Sequence, residues 1–390
     1  MKSNIKKRKL GKTDLYVTEL SYGAMNLRML NSFDEAHKIL NYVLDQGVNL
    51  IDTARAYKGE IAPGVVLESE RVVGDVLRKR TDLKEPITII TKGHAYTIEG
   101  LESELELSLR TLGVTGTKNL KIGSTDINLI YFIHGITRER WDSVVSSGVL
   151  DRLKALKEEG VINYIGFSSH YPEAVEIKEA IDTGVFDVVE LPYNVFNRSL
   201  GEDGTLNLLE YIYNKNIGII NMKAFDGNGM VPVYKILREF ISIDYSAMLN
   251  FCLSNPYITA VDAGARFVEE FEADIKTALG NRYSSEELIS IKAEADKVSK
   301  HVKHVCRECM HCIEKFECPN KLDFPGLMSV YSRFTISENL GKDTSEFVDK
   351  YAAFELNGSD CLECGACLPW CEYKLNIPEM LKQAHEKLSK

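Results

Sequence analysis

Short apolar runs alternate with longer amphipathic segments from residue 20 onward. The runs Leu20–Gly23, Asn49–Asp52, Ile87–Lys92, Ile127–His134, Ile162–Ser168, Phe186–Leu191, Ile217–Lys223 and Ile258–Val261 read as eight strands. Between them, Asp34–Gln46, Ser69–Arg80, Glu99–Leu112, Leu150–Glu159 and Pro172–Asp182 repeat their apolar residues at spacings of three and four, the signature of a helix with one buried face. Gly47, Gly160 and Gly184 stand just past the last turn of three of these helices, where glycine ends a helix at no steric cost. Strand–helix alternation repeated eight times predicts an α/β chain built on a parallel (β/α)8 TIM barrel. A doubly wound sheet is the alternative, but no Gly-x-Gly-x-x-Gly follows the first strand.

The flanking segments complete this plan. Residues 5–19 contain the turn Gly11-Lys12-Thr13-Asp14 and predict a β-hairpin that closes the barrel floor. Gly113–Asp126, rich in Gly, Thr and Lys, lies between a helix and a strand and so at the face opposite the catalytic one. It reads as a tolerated insertion. Ser284–Lys303 predicts a charged linking helix. The expected division is therefore a barrel over 1–283, a link over 284–303 and a small α-rich domain over 304–390.

With 390 residues the chain accommodates a barrel of about 250 residues and an appendage. A hydrophobic content of 44% with 27% charged residues suits a globular protein with a large core. The net charge of −10 argues against nucleic acid, because the longest basic run is Lys6-Lys7-Arg8-Lys9. No apolar stretch approaches about 18 residues, so no membrane span is expected. The first residues are charged and lack the apolar centre of a signal peptide, which points to a cytoplasmic protein.

The cysteines change the picture at the other end. Eight of the nine fall in two compact blocks: Cys306, Cys309, Cys312 and Cys318, then Cys361, Cys364, Cys367 and Cys371. Three cysteines at steps of three followed by a fourth, here Cys318-Pro319, match the spacing of a [4Fe–4S] ferredoxin. A step of three lets one turn of backbone aim three thiolates at three corners of a cube. Zinc is the alternative, but it usually takes isolated Cys-x2-Cys pairs. Disulfides rank third, since the rest of the chain holds the single Cys252, which reads as plain core. His311 lies beside a ligand and reads as a solvated neighbour. Exposed cubane clusters are oxygen-labile, so an anaerobic cell is expected.

Asp52, Lys92 and His134 each end a predicted strand, and Tyr57 follows in the loop after Asp52. In a barrel these ends converge on one cavity. A tyrosine with a pKa near 10 is a weak acid at neutral pH; an adjacent Lys92 ammonium lowers that value, and Asp52 keeps the ammonium charged. His134 orients a carbonyl or shares the proton. The set suits proton transfer to a carbonyl.

The motifs Asp52-Thr-Ala-Arg-Ala-Tyr57, the Lys92 strand, His134, Gly160-Val-Ile-Asn-Tyr-Ile-Gly-Phe-Ser168 and Pro192-Tyr-Asn194 resemble the aldo-keto reductase family over roughly residues 5–280. More narrowly, the chain resembles the subgroup with a C-terminal ferredoxin-like domain. The resemblance implies a (β/α)8 barrel, a nicotinamide cofactor across the strand ends, and hydride transfer between carbonyl and alcohol. It implies Tyr57 as general acid supported by Asp52, Lys92 and His134. It also implies cofactor contacts at Ser168, Ser169, Glu190, Met222, Lys223, Gly264 and Arg266. Several of these depart from the family pattern: Ser169 and Glu190 stand where Asn and Gln grip the carboxamide, and Met222 replaces the stacking aromatic. Gly264, Ala265, Glu270 and Asp274 stand where NADP-specific members place Lys, Ser, Arg and Asn. Two acids facing a 2′-phosphate favour NAD(H) over NADP(H).

By analogy with two-cluster ferredoxins, one [4Fe–4S] cluster takes Cys306, Cys309, Cys312 and Cys371, and the other takes Cys361, Cys364, Cys367 and Cys318. The spacing departs from that pattern in two places: five residues separate Cys312 from Cys318, and no proline follows Cys371. The expected partners are a small carbonyl or alcohol substrate and a ferredoxin or other redox protein. Two alternatives stay open: a cluster-driven electron-transfer enzyme without nicotinamide, and a non-enzymatic binding or regulatory subunit. The loops Met25–Asn31, His94–Ile98, Gly135–Ser147 and Phe225–Val231 would shape the substrate pocket, with Arg28, Arg55 and Arg138 as candidate cations for a carboxylate.

Overall fold

The computed structural model describes residues 3–170, 174–227, 230–302, 305–306, 308, 310, 312–313, 316–371 and 373–389. Among the described residues fourteen strands follow in chain order: β1 (Lys7–Lys9), β2 (Tyr16–Thr18), β3 (Leu20–Gly23), β4 (Leu50–Asp52), β5 (Lys58–Ala62), β6 (Val65–Glu68), β7 (Ile87–Gly93), β8 (Val114–Thr115), β9 (Lys121–Ile122), β10 (Thr125–Ile133), β11 (Tyr164–Ser168), β12 (Val188–Pro192), β13 (Gly218–Met222) and β14 (Ala260–Ala263). β3, β4, β7 and β10 to β14 pair in parallel, and β10 pairs with β11 to close a (β/α)8 TIM barrel.

The helices form as their caps direct. Ser32 accepts from the backbone N of Glu35 to start Phe33–Asp45, and Thr97 does the same from Gly100 for Ile98–Leu112. Gly113 and Gly160, both left-handed, terminate their helices. The helix predicted from Pro172 is seen over Ala174–Asp182, and Pro172 itself lies outside the described residues.

β1 and β2 form the expected antiparallel hairpin. Leu10 and Val17 from it join Leu50, Ile90, Ile130, Val188 and Ile220 in one buried cluster, so the hairpin plugs the barrel from below. A side chain on Gly218 would collide with Leu10, which shows how closely the plug fits. The insertion at 113–126 folds as β8 and β9, which extend β10 by antiparallel pairing. The hairpin of β5 and β6, directly after Tyr57, was not foreseen. Its Lys58-Gly-Glu-Ile-Ala62 run is largely polar and exposed, so it carries little hydrophobic signal.

The chain divides into two compact units: Met1–Tyr193, Asn197–Ala224 and Leu249–Tyr283 make one, and Asn194–Phe196, Phe225–Met248 and Ser284–Lys390 the other. In the second unit, the described regular structure from residue 285 onward is helical: Ser285–Val302, Phe324–Asn339, Ser345–Ala352 and Ile377–Leu388, with short 3-10 turns at Gly358–Asp360 and Leu368–Trp370. Lys303, the last residue of the predicted link, lies outside the described residues. Asp323 and Asn376 cap two of these helices, each with proline in the first turn, where a missing N–H costs nothing. Phe324, Leu327, Tyr331 and Phe334 pack with Phe347, Tyr351, Ile377 and Leu381 into the core of this unit. No helix among the described residues is long and apolar enough to cross a membrane.

Candidate active site and cysteine cavities

Strand periodicity builds the site. Inward side chains recur every second residue, so each barrel strand climbs from an apolar layer to the next layer above it. Leu50, Ile90, Ile130, Val188 and Ala260 lie in the apolar cluster. Two residues on from four of them stand Asp52, Lys92, Glu190 and Asp262. The upper layer of this barrel is charged. A loop turn then brings in Tyr57: Arg55 donates its backbone N to Lys92 O, and Tyr57 N donates to Ala54 O.

The four residues expected to carry catalysis meet there. Lys92 is wholly buried and its ammonium donates to Asp52, to Thr53 O at 3.3 Å and to Tyr57 OH at 3.5 Å. The rings of Tyr57 and His134 lie 5.8 Å apart and nearly perpendicular. His134 is fixed by its backbone N, which donates to Gly93 O, and Tyr96 OH donates to His134 O. His94, which the sequence placed only in a pocket loop, stacks on His134 at 4.2 Å.

The electrostatics correct one expectation. Burial works against the Lys92 ammonium, but Asp52 and Glu190 outweigh it and hold the lysine well above its ordinary pKa. The Tyr57 phenol stands above its ordinary value, not below it. Burial lifts it more than Lys92 pulls it down, and Asp52 and Glu190 add to the rise. A phenol in this setting keeps its proton until a reaction takes it. Burial, then Glu190, also raises Asp52 against the pull of Lys92.

The residues expected at the cofactor each have distinct local contacts. Glu190 is buried and turned toward Lys92, with a carboxylate oxygen 3.2 Å from the ammonium. Ser168 Oγ accepts from Gly135 N at 3.0 Å, which leaves its hydroxyl proton to donate. Ser169 Oγ donates to Ile136 O. Met222 ends β13, and Lys223 follows it in the left-handed region at φ 59°. Asn26 donates to Gly264 O at 2.5 Å, and a side chain on Gly264 would press on that amide. Glu270 accepts from the backbone N of Arg266 and so occupies the start of the helix Val268–Leu279, while the Arg266 guanidinium covers Phe267.

Two of the arginines considered for a substrate carboxylate are engaged elsewhere. Arg55 binds Glu68 at 2.5 Å and also Glu70. Arg138 binds Asp142 and Glu179, both at 2.8 Å. Arg28 lies in the 3-10 turn Ala24–Met29, whose backbone at Arg28 lies against Gly59 of β5. Asp262 and Ser21, which hydrogen-bond to each other, belong to the site but escaped the sequence reading. The predicted eighth strand stopped at Val261, one residue short of Asp262.

In the second unit the cysteines gather around two cavities. Cys306, Cys312 and Cys371 line one, with Phe324, Met328 and Leu375. Cys318, Cys361, Cys364 and Cys367 line the other, with Phe316, Leu322 and Leu381. Cys309 and His311 lie outside the described residues. The last cysteine of each block thus lines the cavity of the other block. Cys252 is buried in the barrel unit, its Sγ donating to Tyr193 O. Burial first, then the neighbouring Cys361, Cys364 and Cys318, push the Cys367 thiol up to about 11.

A circular parallel barrel with acid, lysine, tyrosine and histidine at its strand ends invites comparison with known proteins. Curated relatives include an uncharacterized oxidoreductase, YqkF, of Bacillus subtilis, 27% identical over 74% of this chain and 96% of its own length. Protein tas of Escherichia coli is 28% identical over 51% of this chain and 63% of its own. An aldo-keto reductase of Bacillus halodurans, solved in its holo form, shares the fold with a TM-score of 0.59 at 24% identity, covering 75% of this chain and 96% of that one. The profile of the aldo/keto reductase family matches residues 19–236, more than half of the sequence, and the chain belongs to that family of oxidoreductases.

Proposed function

We propose that the barrel reduces a carbonyl, or oxidises the corresponding alcohol, with Tyr57 as the proton donor and a nicotinamide cofactor. The observation that carries this reading is the Lys92 ammonium, held by Asp52 and directed at Tyr57 OH across 3.5 Å. When bound, the nicotinamide supplies or accepts the hydride. Tyr57 gives its proton to the carbonyl oxygen, and the phenolate left behind is stabilised by the Lys92 charge. Asp52 keeps that charge in place. His134, perpendicular to Tyr57, borders the place the carbonyl oxygen would take.

The Ser168 hydroxyl, with its proton available, fits the carboxamide oxygen of the nicotinamide. Glu190, committed to Lys92, does not fit that amide as well. Glu270 takes the backbone N–H of Arg266 that an additional phosphate would seek, which supports NAD(H) as the cofactor.

The tail is proposed to hold two [4Fe–4S] clusters as a ferredoxin-like domain over 304–390. Cys306, Cys309, Cys312 and Cys371 would bind one, and Cys318, Cys361, Cys364 and Cys367 the other. The two cysteine-lined cavities support this crossing. Such clusters would give the chain one-electron carriers suited to a ferredoxin-type partner.

The test is anaerobic. Purified protein is assayed for nicotinamide oxidation with a panel of aldehydes and ketones, beside the Tyr57→Phe variant. Loss of about a hundredfold or more in turnover with unchanged nicotinamide affinity is expected. Equal turnover in the variant would overturn the proton-donor assignment.

A further inference from the structure

Glu190 and Asp262 have no part in the proton transfer described above, yet both belong to the charged layer around Lys92. One carboxylate oxygen from each of Asp52, Glu190 and Asp262 lies within 4.8 Å of the other two. A single ammonium cannot balance three such carboxylates. Fully ionised, the group would keep two uncompensated negative charges in a site that penalises even one. At least one proton must therefore stay with it.

The geometry indicates where. Lys92 makes ion pairs with Asp52 and with Glu190, and both contacts favour the ionised form. Asp262 instead receives a hydrogen bond from the neutral hydroxyl of Ser21, its register partner on β3, which also favours the carboxylate but brings no opposite charge to it. The charged and titratable groups around Asp262 are Glu190 on β12, Lys92 on β7 and Asp52 on β4. Burial and Glu190 raise Asp52 as well as Asp262, but Asp52 is ion-paired with Lys92, so the geometry puts the proton between Asp262 and Glu190.

We propose that Asp262 and Glu190 share one proton and serve as positioning residues that set the charge Lys92 presents to Tyr57. The proposal rests on the reading of Tyr57 as proton donor. With the shared proton present, Lys92 faces fewer negative charges and has more of its own charge left for a phenolate at Tyr57. Once the proton leaves, a second negative charge stands behind Lys92, the phenolate becomes harder to form, and carbonyl reduction slows. Burial first, then Glu190, push Asp262 up to about 7, so the slowing falls in the neutral range.

Two measurements test this on the intact protein under anaerobic conditions. The first is the pH profile of kcat/KM for carbonyl reduction in the wild type, Asp262→Asn and Glu190→Gln. The second is infrared difference spectroscopy of the protonated-carboxyl band across the same pH range, which needs no turnover. The wild type is expected to lose a protonated-carboxyl band, and activity with it, as pH rises through about 7. Asp262→Asn should lack both transitions. Glu190→Gln, having lost the neighbouring charge, should show both moved down by about one pH unit or more. A merely structural role would lower kcat/KM equally at every pH. The same band titrating in Asp262→Asn, or an unchanged profile in both variants, overturns the proposal. Full turnover in Tyr57→Phe would remove the reading beneath it, while the infrared band would still report the shared proton by itself.

Discussion

Cys371 lines the same cavity as Cys306, not the one lined by its own neighbours Cys361, Cys364 and Cys367. If the cavities hold the proposed clusters, damage at either of these two residues strikes the same cluster. Wild-type protein prepared anaerobically should contain about eight irons and eight sulfides per chain. Cys371→Ser and Cys306→Ser should leave one identical surviving electron paramagnetic resonance signal after reduction. Cys318→Ser and Cys361→Ser should leave the other. Matching spectra within the blocks, not across them, would contradict the crossed arrangement.

Arg55 ties the segment that carries Tyr57 to the residues following it, through Glu68 and the buried Glu70. Glu70 also accepts from Thr91 at 2.7 Å, one residue before Lys92. Arg55→Ala should cost about 3 kcal/mol in denaturant unfolding, because it strands a buried carboxylate without its partner. Turnover should fall as well, since the Tyr57 turn loses its anchor. Arg138→Ala, whose ion pairs are solvent-screened, should leave the unfolding midpoint nearly unchanged.

The pH dependence of stability has a definite sign at Asp262. Its folded pKa is raised to about 7, chiefly by burial, above that of an unfolded aspartate near 4. The folded state therefore binds the proton more tightly. The stabilisation from this group is complete below about pH 4 and is lost as pH rises to about 7. Melting temperatures of Asp262→Asn and wild type should diverge in the variant's favour over that window, then run parallel above it. A constant offset at all pH values would refute the assignment.

At the helix Val268–Leu279, Glu270 accepts from the Arg266 backbone N, and in the proposed cofactor site its charge would oppose a 2′-phosphate. Fluorescence titration should find NADH bound about tenfold or more tighter than NADPH. Glu270→Gln keeps an acceptor for the Arg266 N–H but drops the charge, so the gap between the cofactors should narrow. Tighter binding of NADPH by the wild type would refute the NAD preference.

The barrel was legible because its strands are continuous apolar runs and its helices end on glycine. Strand ends were legible to within about two residues, and there that margin mattered. Ending the last strand at Val261 hid Asp262, although a two-residue step from Ala260 leads straight to it. Glu190 was singled out for a cofactor contact, since no sequence pattern reports that its carboxylate turns toward Lys92. The Tyr57 pKa was given the wrong direction for a similar reason. A neighbouring charge can be read from strand positions, whereas the depth of burial that outweighs it cannot. The polar hairpin of β5 and β6 left no periodicity to find. In the tail, the cysteine spacing was plain and suggested a crossed arrangement by analogy, while the apolar walls, with Phe324 and Ile377 lining both cavities, carried no such signal.

The interleaved cysteine cavities bear on how the protein is made. Each draws its wall from both ends of the 306–371 segment, with the helix Phe324–Asn339 between them. One cavity has its four cysteines once Cys367 has been made, whereas the other waits for Cys371. A nascent chain arrested just before Cys367 would carry six unguarded thiols, which makes this stretch the part of the molecule most exposed to oxidation during synthesis.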